Sequence, residues 1–183
     1  MSAIKRVVSM LCAVIYMMMS CVCSAGLMDH PTVAVIPFSN QAASMTHKAI
    51  DGDLEEMRTI TETDLLSTGR FKMVDRVTVD KLIAEHEFDR SGLVDPNTAA
   101  KLGEMLGAQY LVLGTLTNLS RSGDKNSAHV TLRMIAVETA SIALAGRGSA
   151  KTSDSISETL IAATEDALDG KRGILTMLKG GKK

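Results

Sequence analysis

The residues whose types and spacing could do chemistry fall in three short clusters. Asp51-Gly52-Asp53-Leu54-Glu55-Glu56 puts four carboxylates within six residues, the raw material of a calcium loop. Such a loop needs oxygen ligands at alternate positions, a glycine at the sixth and a distant bidentate glutamate. Here the glycine is second and the acids run on into a helical pattern, so the expectation is a solvated acidic helix face. Glu85-His86-Glu87-Phe88-Asp89 gathers a histidine and three acids. On a helix successive residues point about 100° apart, and only Glu85 and Asp89 share a face. His30, His47 and His129 lie far off in sequence, so no metal site is expected. Gly146-Arg147-Gly148-Ser149-Ala150-Lys151 pairs two glycines with a lysine, as phosphate loops do. A phosphate loop must join a strand to a helix, whereas this segment reads as strand, and its glycines are expected to form a bulge or an edge feature. No Gly-x-Ser-x-Gly elbow occurs, and no pair of acids stands out as a general acid/base couple. The residues predict no catalytic group, no cofactor and no metal, and hence no enzyme. The rival reading is a hydrolase whose site assembles from scattered residues, with convergent titratable side chains in a cleft as its sign.

The elements around these clusters follow from periodicity. Thr32 through Phe38 is a continuous β-branched run that predicts a strand buried on both faces, ending near Pro37, which cannot donate to a ladder. Ile50, Leu54, Met57 and Leu65 fall near helical spacing, and Gly69 is free to take the left-handed cap conformation. A short strand at 71–75 and a helix carrying Val79, Leu82 and Ile83 follow. Asn97 is placed to cap another helix, with Ala99, Leu102, Met105 and Leu106 as its stripe and Gly107 as its stop. Residues 109–119 and 129–138 read as strands joined by a polar turn at 120–127. Residues 141–151 read as a last strand, and Ser153 or Asp154 as the cap of a helix running to about Leu168. The order β-α-β-α-α-β-β-β-α predicts a mixed sheet between helices, parallel in its first part and an antiparallel meander in its second.

The chain has 183 residues, a formal net charge of -1, 45% hydrophobic and 3% aromatic residues. The charge balance excludes nucleic-acid binding by bulk electrostatics, and the apolar content excludes disorder over most of the length. Few aromatic rings leave little to stack sugars or bases. Lys5 and Arg6 precede a charge-free apolar run, Val7 through Ser20, that ends in Cys21-Val22-Cys23-Ser24-Ala25. This is the layout of a secretory signal peptide over residues 1–25, cut after Ala25. Two alternatives remain open: an uncleaved membrane anchor, because no charge follows until Asp29, and lipid attachment at Cys21 after a cut at residue 20. Cleavage after residue 25 removes two basic residues and no acid, moving the net charge to -3, and takes away Cys12, Cys21 and Cys23, the only cysteines. The mature chain then has no thiol or disulfide and holds together by core burial alone. Residues 26–31 read as a short linker, 32–178 as one domain and 179–183 as a basic disordered tail.

Three blocks carry a resemblance to a known family. Val33-Ala34-Val35-Ile36-Pro37-Phe38-Ser39-Asn40 is similar to the opening strand and turn of the curli-assembly CsgG-like domain. Leu66 through Arg76, followed by Val79-Asp80-Lys81-Leu82 and Glu85, resembles its second strand and helix. Ala99-Ala100-Lys101-Leu102-Gly103 and Gly107 through Gly114 resemble the helix and strand of its third block. A fourth block, Leu132 through Ile142, departs from the pattern: Ala136 stands where the family has aspartate, and Ala140 and Ser141 where it has glycine and glutamate. The resemblance spans about residues 32–150. It implies an α/β fold similar to the TolB amino-terminal domain, with helices on both sides of a mixed sheet, and an envelope location.

Pore-forming members of the family are lipoproteins that insert two extra hairpins into the outer membrane. Such strands need about ten residues each, alternately apolar. The spaces after Leu119 and after Ala150 hold polar residues and a helix instead. Other members are small accessory proteins, among them the penicillin-binding-protein activator LpoB, which carries a long tether. Here only about five residues separate Gly26 from the first strand, too few to cross a periplasm at about 3.5 Å per residue. The resemblance implies an exported periplasmic protein that works by contact with another envelope protein, in outer-membrane assembly and secretion or in regulation of a cell-wall synthase. It leaves open homo-oligomerisation and a subunit of a curli-type secretion complex lacking its own hairpins. No nucleic-acid partner is expected, and membrane contact only through the amino terminus.

Overall fold

Thr32-Val33-Ala34-Val35 becomes the strand β1 (Thr32–Val35), and its last three residues are buried on both faces of the sheet. The computed structural model describes residues 30–42, 50–86, 95–153, 155–171 and 173–180. The expected export segment, Cys21 and most of the 26–31 linker lie outside the described residues, as do His47, Phe88 and residues 181–183. From Pro31 onward the described residues form one compact unit. The further elements are β2 (Ser39–Asn40), α1 (Asp51–Ser67), β3 (Lys72–Met73), α2 (Arg76–Glu85), α3 (Pro96–Leu106), β4 (Tyr110–Ser122), β5 (Lys125–Ala136), β6 (Ser141–Thr152), α4 (Ile156–Asp169) and α5 (Ile174–Gly180).

The strand order is β3-β1-β4-β5-β6, with β2 also paired to β4. β1 runs parallel to β3 and β4, whereas β4, β5 and β6 form an antiparallel meander. This is the mixed sheet expected from the element order. Several boundaries differ. β1 stops at Val35, and Pro37 lies beyond it. The polar stretch at 120–127 is mostly ladder: β4 and β5 run on to Ser122 and Lys125, leaving a two-residue turn at Gly123-Asp124 with Gly123 at φ 62°. Asp95, not Asn97, caps α3 by accepting from the Thr98 N–H, with Pro96 in the first turn where its missing donor costs nothing. Ser155 caps α4 in a reciprocal capping box with Glu158. β2 and α5 were not expected from the sequence. α5 continues the helix through Lys179 and Gly180, past the anticipated domain end at 178.

Side-chain alternation along the central strands feeds two separate cores. On one face Val33, Val35, Val112, Leu116, Val130 and Leu132 pack with residues of α1, α4 and α5. On the other, Ala34, Ile36, Leu111, Leu113, Ile135 and Val137 meet Val79, Ala99 and Leu102 of α2 and α3. Phe38 and Phe71 are buried. Phe38 lies against Gly114, where a Cβ would overlap its ring. The second core covers only half the meander. Beyond Leu113 and Ile135 that face carries polar and basic side chains.

Candidate functional site

The acidic cluster at the start of α1 is only partly a solvated face. Asp51 and Glu56 are exposed, but Asp53 accepts a 2.5 Å hydrogen bond from the Ser157 hydroxyl of α4. Glu55 and Glu62 hold two arginines. Arg76 at the start of α2 pairs with Glu55 at 2.8 Å and with Glu62 at 3.1 Å. Arg58, with 1% of its surface exposed, pairs with Glu62 at 3.1 Å and Asp80 at 2.8 Å, and its Nε–H donates to the Val35 carbonyl. Burial works against the Arg76 charge. The hydrogen bond and charge of Glu62, with Glu55 and Asp80, outweigh it and hold the guanidinium above its ordinary value. This network staples α1, α2 and the end of β1, and sequence reasoning missed it. The signal was there: Arg58 lies four residues from Leu54 and seven from Leu65, on the stripe that faces the sheet.

The other clusters behave as follows. Glu85 ends α2 and His86 is its C-cap residue, while Glu87 and Asp89 lie outside the described residues. No group of three or more His, Cys, Asp or Glu able to hold a metal occurs among the described residues. Gly146 and Gly148 do not form a bulge. They are regular ladder positions of the edge strand β6, opposite Leu132 and Val130. The meander's irregularities fall elsewhere, at Leu116/Asn118 and Met134/Ile135. The two glycines serve close approach: a Cβ on Gly148 would overlap the Ala163 carbonyl, and one on Gly146 the Ala167 carbonyl. Asp64 on α1 is desolvated and faces the charge of Asp169, and both raise its carboxyl above the ordinary value.

The meander itself has an uneven charge distribution. β4, β5 and β6 contain Arg121, Lys125, Arg133, Arg147, Lys151 and His129, and no aspartate or glutamate. Pairing places most of these on one face. Thr131 is opposite Arg147, His129 opposite Ser149, Arg133 opposite Ala145 and Ser127 opposite Lys151. Alternation adds Lys125 to the same side. Lys125, His129, Arg147, Ser149 and Lys151 are exposed, with Thr131 and Arg133 half-buried. Among the described residues none of these cations forms an ion pair, in contrast to Arg58 and Arg76. On the meander an open hollow of about 730 Å³ is lined by Thr117, His129, Thr131, Arg147, Ser149, Asp166 and Lys171. Asp166 is engaged, accepting the Ser149 N–H at 3.0 Å. Thr117 is engaged as well, donating to the His129 carbonyl.

Residues 16–164 match the family model of the curli production assembly/transport component CsgG. The chain belongs to this family. The match starts ahead of the described residues and ends inside α4. No curated protein matches the chain. Among solved structures the chain is similar to lipoprotein GNA1162 from Neisseria meningitidis, at 14% identity and a TM-score of 0.52, covering 82% of this chain and 91% of that one. It is similar to the PelC dodecamer from Paraburkholderia phytofirmans at 13% identity and a TM-score of 0.51, covering 79% and 89%. The LpoB C-terminal domain from Escherichia coli aligns at 14% identity and a TM-score of 0.47, over 74% and 93%. The family expected from the three sequence blocks is thus the family of this chain, and the α/β fold expected with it is the fold observed. Among the described residues no helix is long and apolar enough to cross a membrane.

Proposed function

We propose that this CsgG-family chain is a non-enzymatic accessory protein of the cell envelope. In this reading it is exported to the periplasm by residues 1–25 and acts by contact with another envelope protein, in outer-membrane assembly and secretion or in control of a cell-wall synthase. The observation that carries the proposal is the family match across residues 16–164, joined to the basic amino terminus and apolar run that precede the fold. The fold's likeness to a lipoprotein lends support to the alternative in which the cut falls at residue 20 and lipid is attached at Cys21, and its likeness to a subunit of a dodecamer to self-assembly. A second reading is a subunit of a curli-type secretion complex. The two-residue join of β4 to β5 and the three residues between β6 and α4 favour a form of it without membrane hairpins of its own.

The test is intact mass of the chain recovered from an envelope fraction, together with site-specific photo-crosslinking in cells. The expected products are a chain beginning at Gly26 and a discrete crosslinked adduct with a larger envelope protein. A lipid-modified chain beginning at Cys21 would select the anchored form, and adducts at multiples of the chain mass would select self-assembly. Recovery of the full-length chain in the cytosol without any adduct would end the proposal.

A further inference from the structure

The uncovered half of the meander is built unlike the rest of the molecule. Three strands carry five arginines and lysines and one histidine with no acid, in a chain that holds 21 acidic against 20 basic residues. All 21 acids therefore lie outside these strands. Elsewhere arginines sit against carboxylates, as Arg58 and Arg76 do. Among the described residues, those on this face do not. Like charges gathered with a single carboxylate, Asp166, at the hollow repel one another and raise the free energy of the isolated fold, and anionic groups laid on the face would lower it.

The spacing narrows the partner. Residues on one strand face recur about every 6.8 Å, so Lys125, His129 and Arg133 span about 27 Å along β5. Arg147 faces Thr131 and so stands diagonally between His129 and Arg133, about 7–8 Å from each. The result is a zigzag of cations with Ser127, Thr131 and Ser149 hydroxyls between them. No phenylalanine, tyrosine or tryptophan lies on this face and its one aromatic ring is the His129 imidazole, which leaves little of the platform that nucleobases and sugars stack on. Nor does it carry a row of large apolar side chains to insert among acyl chains, and surface charge alone holds a protein weakly to a bilayer. Alternating carboxylates of a polypeptide fit both the spacing and the hydroxyls.

The free edge of β6 is a poorer seat than the face. The Asp166 carboxylate already takes the outward Ser149 N–H. A partner strand adding to this edge would have to displace that carboxylate.

We propose that this face docks an acidic segment of a partner protein, with one carboxylate seated in the hollow between His129, Arg147 and Lys171. The inference rests on the reading of the protein as a contact module and names the contact. The probe is a fluorescent 20-residue poly-L-glutamate titrated with the full exported chain, read by anisotropy at several salt concentrations. The wild-type chain binds it with an affinity that falls steeply with salt. The double variant Arg147→Ser/Lys151→Ser, both positions exposed, weakens binding at least tenfold with an unchanged urea midpoint. The control Lys81→Ser/Lys101→Ser, on helices α2 and α3, changes it less than twofold. Equal losses in both variants, or no binding by the wild type, would overturn the proposal. So would binding to phosphatidylglycerol vesicles without binding to poly-L-glutamate, which would make a membrane the occupant. If the face variant loses the peptide yet keeps its crosslinked partner in cells, the contact-module reading stands and this face is not the contact.

Discussion

Arg58 illustrates how a single side chain can tie three elements while looking ordinary in the sequence. It sits among Glu55, Glu56 and Glu62, where a lone arginine reads as part of a solvated, charge-laced helix. Its guanidinium instead crosses the sheet end, satisfies the Val35 carbonyl and meets Asp80 on α2. Sequence periodicity placed Leu54, Met57 and Leu65 on the core stripe, and the same wheel includes Arg58. What the sequence could not supply was the acceptor at the end of β1 and the carboxylate on another helix. Substituting Arg58→Met removes the charge from a buried site and leaves the Val35 carbonyl without its partner. Glu62 keeps Arg76, and Asp80 remains 45% exposed, so water offsets part of the loss. The expected destabilisation is about 2–3 kcal/mol, below that of a fully buried broken pair. Arg58→Lys keeps the charge but not the fork that serves two directions, and should lose about half as much. Urea denaturation of the two variants gives the comparison. Equal stability of Arg58→Met and wild type would mean that the network is ornamental.

At the level of elements, the sequence was legible where one local rule decided and less so where two elements compete for space. The β1 run, the stop of α3 at Gly107 with φ 62° and the parallel-then-antiparallel order all followed from pattern, whereas Met105 of the expected α3 stripe is exposed. The ends of β4 and β5 did not, because Ser120, Arg121, Asn126 and Ser127 look like turn residues yet pair in register. Composition favoured a loop, and ladder hydrogen bonding won. The β6 glycines lie on the edge strand, one of the two readings expected for them, and not in a bulge, the other: a glycine in a strand suggests a bulge when only the strand is considered, and α4 is not visible above it. Their role predicts an asymmetry among glycines. Gly148→Ala drives a Cβ into the Ala163 carbonyl, and α4 must lift from the sheet, for an expected loss of about 2–3 kcal/mol. Gly52→Ala in the first turn of α1 meets nothing within 4 Å and should raise stability by about 0.5–1 kcal/mol. Thermal melts of the two alanine variants check both signs at once, and a neutral Gly148→Ala would disprove the close-approach account.

For the whole molecule, the sheet is the shared wall of two cores, and this determines how the molecule comes apart. Leu160 of α4 is fully buried on one face and Leu102 of α3 on the other. The clusters share no side chain, yet both stand on β1, β4 and β5, whose adjacent residues alternate between them. Neither helical layer can leave without stripping apolar surface from strands that the other layer also needs. A bare sheet face would expose alternate valines and leucines along the meander. Unfolding is therefore expected to be a single transition, despite the two cores. Leu160→Ala and Leu102→Ala should each lower stability by about 2–4 kcal/mol, shift the same transition, and add in the double variant because they share no partner. The basic face forms no part of either core, so the Arg147→Ser/Lys151→Ser variant should leave this transition in place. Circular dichroism in urea, with hydrogen exchange of the β4 amides as a second probe, measures this. If Leu102→Ala produced a separate early phase while β4 stayed protected, α2 and α3 would be a detachable layer. The face they partly cover would then be larger when a partner arrives than it is in the closed fold.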